Sequence, residues 1–263
     1  VWGALGLQEK EQAQSCIAAL LKEKTWPWDW PERLKTGNRA ANVAALLVHA
    51  DAACCLNQLY GVTEPRLALK SRHPHGFAAY ERPGELTGSA ILGHPAALQP
   101  YAQALVEQAR REGLAYLELR GSPHKYRPDD PAAFVRDLGK ALRAAGANDP
   151  DDDGSPTLRF IWILDRRQQI QLADTVDRAI AAVQESQGFL VGLDLAGDEG
   201  IGQPEALAPA FIAAFRECLP ITIHAGEGEP AENIWQAAYH LHADRIGHGL
   251  TLAERPEIGR AHV

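Results

Sequence analysis

The residue types that metal-assisted hydrolysis requires cluster between positions 224 and 248. Ile221-Thr-Ile-His-Ala-Gly-Glu-Gly-Glu229 ends a short β-branched run in a histidine and places a glutamate three residues later. Arg245-Ile-Gly-His-Gly249 then sets a second histidine between glycines. An imidazole can ligate a metal, a carboxylate can carry a proton, and a further imidazole can orient a water. Residues at the carboxyl ends of successive strands of a β/α barrel face one cavity, so His224, Glu227 and His248 are expected to converge there. A lone strand-end histidine is usually structural, whereas three such groups in this register read as a site. Gly226 and Gly247 are expected to leave room for ligand and metal.

The elements that must position these groups follow from the hydrophobic pattern. Apolar periodicity predicts helices over 99–111, 131–144, 168–186, 204–218 and 231–242, and strands over 114–119, 158–164, 189–195, 221–224 and 245–249. The strand runs lack strict polar alternation, which means burial on both faces and hence a parallel sheet. Alternating βα units give a doubly wound sheet or a barrel. Residues 1–94 carry no convincing strand: 4–24 and 42–60 read as helices joined by Trp26-Pro-Trp-Asp-Trp-Pro31, and 76–93 as a glycine-punctuated lid loop carrying Phe77 and Tyr80. The division is therefore a helical segment with lid over 1–94 and a β/α portion over 95–263.

Composition narrows the function class. The chain has 263 residues, 46% hydrophobic and 23% charged, with a net charge of −8. Its basic residues come in pairs such as Arg110-Arg111 and Arg166-Arg167, which argues against a protein that coats duplex nucleic acid. Cys16, Cys54, Cys55 and Cys218 fit neither a zinc ribbon nor a disulfide framework, and they read as buried thiols of a cytoplasmic protein. No apolar run approaches the ~20 residues of a membrane span, and no export leader is expected. Methionine is absent, so the chain reads as the middle of something longer.

With these residues laid out, the chain resembles the adenosine deaminase family of metal-dependent aminohydrolases. Four blocks carry the likeness: Tyr116-Leu-Glu-Leu-Arg-Gly-Ser-Pro-His124, Val191-Gly-Leu-Asp-Leu-Ala-Gly-Asp-Glu199, Thr222-Ile-His-Ala-Gly-Glu227 and Arg245-Ile-Gly-His-Gly249. The resemblance implies a (β/α)8 TIM-type barrel, incomplete in this chain, with strands 2 to 6 recognisable. It implies Zn2+ on His224, with Glu227 protonating the purine ring nitrogen and His248 orienting and helping to activate the attacking water. It implies that Gly197 reads the far side of the purine, with Asp194 and Asp198 shaping the same strand end and Phe77 and Tyr80 over the substrate. Glu227 would need burial to hold a proton at neutral pH. The implied reaction converts adenosine, or another adenine-bearing nucleoside or nucleotide, to its hypoxanthine form with release of ammonia. The unusual N-terminal half resembles deaminase-like proteins of bacterial antiphage defence, for which RNA adenines are candidates too.

The family pattern also calls for a His-x-His at strand 1 and an aspartate at strand 8. His73-Pro-His75 and Val48-His-Ala-Asp51 are local candidates, and both read better as lid, loop or helix residues. The preferred account is that the other ligands lie in a longer protein. His124 reads as a hydrogen-bonded loop histidine, and Glu118 with Arg120 as an interior ion pair. His240 and His242 read as surface residues, and the tryptophan cluster as a packing or subunit contact. Two rival functions remain: a metal-free barrel scaffold serving in a homo-oligomer or larger assembly, and a different amidohydrolase chemistry such as cyclic amide opening.

Overall fold

A computed structural model describes residues 92–93, 97–149, 152 and 154–260. The chain divides into two compact units, Val1–Ala102 and Gln103–Val263, and the described strands all lie in the second. The helical segment expected over 1–94, with Phe77, Tyr80, the paired histidines and the tryptophan cluster, lies outside the described residues apart from Leu92 and Gly93.

Helix α1 (Leu98–Arg111) leads into strand β1 (Tyr116–Gly121). A short helix α2 (Pro123–Tyr126) and helix α3 (Pro131–Ala144) precede β2 (Thr157–Asp165). Helix α4 (Leu172–Glu185) leads to β3 (Leu190–Ala196), and β4 (Ile221–Ala225) is followed by α5 (Glu232–His240) and β5 (Arg245–His248). All four strand pairings are parallel, in the spatial order β1-β2-β3-β4-β5. Cα register partners include Leu119 with Phe160, Trp162 with Leu193, Leu195 with Ile223, and Ala225 with His248.

Local chemistry explains several boundaries. Asp130 caps α3 by accepting from the Ala133 amide at 3.0 Å, and Pro131, which has no amide to satisfy, takes the first turn. Asp244 accepts from the Ile221 amide at 2.8 Å and so fixes the start of β4 from the loop before β5. In β2 the residues Leu158, Phe160, Ile161, Trp162 and Leu164 are all buried. Burial at both odd and even positions means that helices cover one face and converging side chains the other. Phe134, Val135, Leu138 and Leu142 of α3 and Val176 and Ala179 of α4 supply the covering layer.

The sheet is strongly curved. Arg245 at the start of β5 donates to Glu118 of β1 at 2.6 Å, although three strands separate β1 from β5. In a flat sheet those strands would lie about 19 Å apart, more than the two side chains together bridge. The ion pair therefore crosses the hollow of a half-barrel, the open form of a TIM-type barrel. Arg245 and Tyr116 work against burial to hold the Glu118 carboxyl below its ordinary value.

Three local expectations are corrected. The helix expected over 204–218 is broken into Pro204–Leu207, a 3-10 turn Ala208–Phe211 and Ile212–Arg216, because Pro209 has no amide to donate. The helix expected from 168 begins as 3-10 over Arg166–Gln171 and becomes α-helical only at Leu172. Cys218, expected buried, is exposed at φ +51.

Candidate active site

The carboxyl ends of β1, β3, β4 and β5 bring one group of polar side chains together. His224 is the fourth residue of β4 and His248 the last of β5. Their rings meet edge to face with centroids 4.9 Å apart. Glu227 lies in the turn after β4, its Oε2 3.8 Å from His248 Nε2, and its side chain is 15% exposed. The three groups read from the sequence as a site thus share one mouth of the half-barrel.

Asp194 of β3 forms the floor. It is fully buried, and its Oδ2 lies 3.0 Å from His224 Nε2. Arg120 of β1 donates to that same oxygen at 3.1 Å and sits 3.2 Å from His224 Nε2. Side chains from alternate strands meeting in one layer are the packing of a barrel interior. The expected Glu118–Arg120 pair is therefore replaced: Glu118 pairs with Arg245, and Arg120 with Asp194. Among the described residues, Asp194 Oδ1 is buried with no hydrogen-bond partner.

A second layer grips the turn itself. Arg166, 1% exposed, follows β2 and donates through Nη2 to the carbonyl of His224. Burial pulls its guanidinium below the ordinary value, while Glu199, Asp194 and Asp198 oppose that shift. Glu199, 6% exposed, accepts from the amides of Gly226 at 2.5 Å, Glu227 at 3.0 Å and Gly228 at 3.5 Å.

The glycines have a different occupant from the one expected. A Cβ on Gly226 (φ +72) would come within 2.6 Å of Ile234 Cδ1, and one on Gly247 within 2.9 Å of His224 Cδ2. The room they leave is filled by the protein's own side chains, which lets the turn and the two histidines close up. Gly197, just past β3, stands at φ +101 beside Asp165. Asp198 accepts from the Gly200 amide at 3.1 Å and closes the same loop.

His124 is in α2 rather than a loop. Its Nδ1 accepts from Trp162 Nε1 at 3.2 Å, and the two rings stack. Burial, with the adjacent Lys125 ammonium, pushes its imidazole down to about 4, against the pull of Asp165. Asp165, despite its burial, is held far below the usual carboxylate range by Arg167 and Lys125. Arg120, Arg166 and Glu199 were not singled out from the sequence as site residues. Arg166 was legible only as half of a basic pair, and Glu199 only as the residue two past Gly197.

Among the described residues no three His, Cys, Asp or Glu side chains are grouped to hold a metal ion. His224 could serve as a single ligand once its Nε2 is freed from Asp194 Oδ2, 3.0 Å away, and from Arg120 Nη1, 3.2 Å away.

The sequence matches the adenosine deaminase family over residues 63–260. The chain belongs to the adenosine deaminase family. Within that family it is 33% identical to the adenosine deaminase of Pectobacterium atrosepticum, covering 80% of this chain and 63% of that relative. The chain thus spans about 63% of the length of such a curated relative. Among solved structures it resembles an amidohydrolase of Burkholderia ambifaria with bound Zn (TM-score 0.59, 20% identity, 86% of this chain and 60% of that one). It also resembles the Arabidopsis ADAL protein complexed with GMP (TM-score 0.52, 20% identity, 91% and 60%). These likenesses show the fold, a TIM-type barrel of which the described residues form five strands.

Proposed function

We propose that the protein hydrolytically deaminates an adenine-bearing purine, releasing ammonia, with zinc as its cofactor. The observation that carries this reading is the meeting of His224, His248 and Glu227 at the carboxyl ends of adjacent strands. Zinc, when bound, acidifies water enough to supply a nucleophile at neutral pH. His224 would hold it, with the remaining ligands coming from outside the described residues.

In the overall reaction the oxygen of water adds to the ring carbon bearing the amino group and the adjacent ring nitrogen gains one proton. The carbon–amino bond breaks as the departing nitrogen takes the other proton and leaves as ammonia. Glu227 is the proton carrier to the ring nitrogen, since it projects from the turn after β4 beside the His248 imidazole. His248, 3.8 Å from Glu227, orients the attacking water. Gly197 and Asp194 form the strand end against which the purine lies, and the family resemblance gives Phe77 and Tyr80, outside the described residues, the role of apolar substrate contacts. Arg120 and Asp194 neutralise one another, so the floor presents a polar surface without a net unpaired charge.

The names of the relatives support adenosine as substrate, and the GMP and IMP complexes of the Arabidopsis ADAL protein support purine nucleotides. An RNA adenine and a role in antiphage defence are narrower readings that rest on the unusual segment 1–94; self-assembly rests on open sheet edges and the tryptophan cluster, and a cytoplasmic location on the cysteine spacing. Side-by-side assay of adenosine, AMP, ATP and an adenine-rich oligonucleotide for ammonia, with and without chelator, is the test. Ammonia from one of the four, lost on chelation and restored by zinc, is the expected result. Activity indifferent to chelation would remove the metal, and no activity on any of them would favour the second reading, a deaminase-like scaffold. That reading draws on the lack of a three-donor group among the described residues.

A further inference from the structure

We propose that the buried pair Glu199 and Arg166 is a positioning device that sets the aim of Glu227. This rests on the deaminase reading for its catalytic consequence, but the device itself is read from the geometry of the turn.

The peptide segment His224–Gly228 is held from two sides by opposite charges. Arg166 takes the carbonyl of His224, and Glu199 takes the three successive amides of Gly226, Glu227 and Gly228. Successive amides that converge on one point form an anion-binding concavity, and a carboxylate fills it with charge-assisted bonds about twice as strong as neutral ones. Gly226 at φ +72 makes the concavity possible. Both carboxylate oxygens of Glu199 are committed to these amides, so the group has no proton work of its own. The middle amide belongs to Glu227, whose backbone is therefore fixed before any substrate arrives.

The device also links two halves of the site. Glu199 lies two residues past Gly197, on the loop that follows β3, whereas Glu227 lies on the turn after β4. Its carboxylate ties the loop of the purine seat to the turn of the proton carrier. Holding reacting groups in register in this way is worth much in rate, since a displacement of about 1 Å can cost roughly 10²-fold.

The experiment compares zinc-loaded wild type with Glu199→Gln and Glu199→Asp. Glutamine offers one acceptor in place of two and turns an NH2 toward backbone N–H groups. Glu199→Gln should lower kcat by about 10- to 100-fold, with KM within about twofold and zinc content unchanged. Hydrogen exchange at the Gly226, Glu227 and Gly228 amides should rise by about tenfold or more, as expected when a charge-assisted bond is lost. Glu199→Asp keeps both oxygens and should recover part of the protection and part of kcat; if the glutamine variant does not fold, this variant is read against wild type for intermediate protection. Unchanged exchange, unchanged kcat, or a kcat that falls only in step with zinc content would overturn the proposal. If wild type turns over no purine, the deaminase reading fails, while the exchange measurement still decides whether the turn is held in this way.

Discussion

The imidazoles of His224 and His248 meet edge to face, with centroids 4.9 Å apart and planes at 84°, although each stands on its own strand. The parallel register that pairs His224 with Gly247 makes this possible, because a neighbour without a side chain lets the His224 ring lie across it. His248 accepts a left-handed backbone, φ +68, to bring its own ring round. Such a conformation costs a non-glycine residue of order 1–3 kcal/mol and persists where the surroundings over-determine it.

A division of labour between His224 and Glu227 is expected. His224→Ala should lower the zinc stoichiometry of the purified protein, measured by elemental analysis. Glu227→Gln should leave zinc bound and cut ammonia release by about 10²- to 10⁴-fold, the usual contribution of a positioned proton carrier. Equal loss of zinc in both variants would contradict this separation.

Gly226→Ala should be among the most damaging small substitutions in the second unit. The new Cβ would fall 2.6 Å from Ile234 Cδ1 and 2.9 Å from Thr251 Oγ1, at a φ that alanine avoids. A loss of about 2–4 kcal/mol is expected from overpacking and backbone strain together. Urea denaturation checks it, and adding Ile234→Val, which removes Cδ1 but keeps the γ carbon 2.9 Å away, should recover only part of the steric cost.

Arg120→Gln leaves the fully buried Asp194 carboxylate without its cation. Because the arginine side chain is 36% exposed, solvent screening limits the loss to about 1–3 kcal/mol. The double variant Arg120→Gln with Asp194→Asn should be more stable than the sum of the singles, since no buried charge is then stranded. Additive losses would show that the pair is not coupled.

Acid should weaken the fold through His124. Its imidazole titrates at about 4 when folded and near 6.5 when unfolded, so between those values the unfolded chain binds the extra proton. Stability contributed by the neutral, buried ring is complete above pH ~6.5 and is lost as pH falls toward ~4, by about 1.4 kcal/mol per pH unit. His124→Gln should flatten that slope in urea titrations between those limits.

The fold was largely legible because buried parallel strands announce themselves as apolar runs, and the histidines the pattern singled out stand one residue before the end of β4 and at the end of β5. Elements whose ends depend on a missing amide were less so: Pro209 interrupts what apolar spacing alone extends to Cys218. Within the site, chemistry-bearing groups on one strand and its turn could be read from spacing. Arg120, Arg166 and Glu199 could not, because each acts on a partner from another strand. Arg120 and Glu118 are two apart on β1, which suggests a pair, yet curvature carries Glu118 to β5 and Arg120 to β3.

The spatial order β1-β2-β3-β4-β5 repeats the order of synthesis. No strand among these five waits for a neighbour that the ribosome has yet to make, and each later one finds its pairing edge already present. Assembly can therefore proceed vectorially, with the groups on β4 and β5 delivered last onto a template laid down by β1 to β3. A lesion early in the sheet, at β1 or β2, would then be felt at the histidines without touching them.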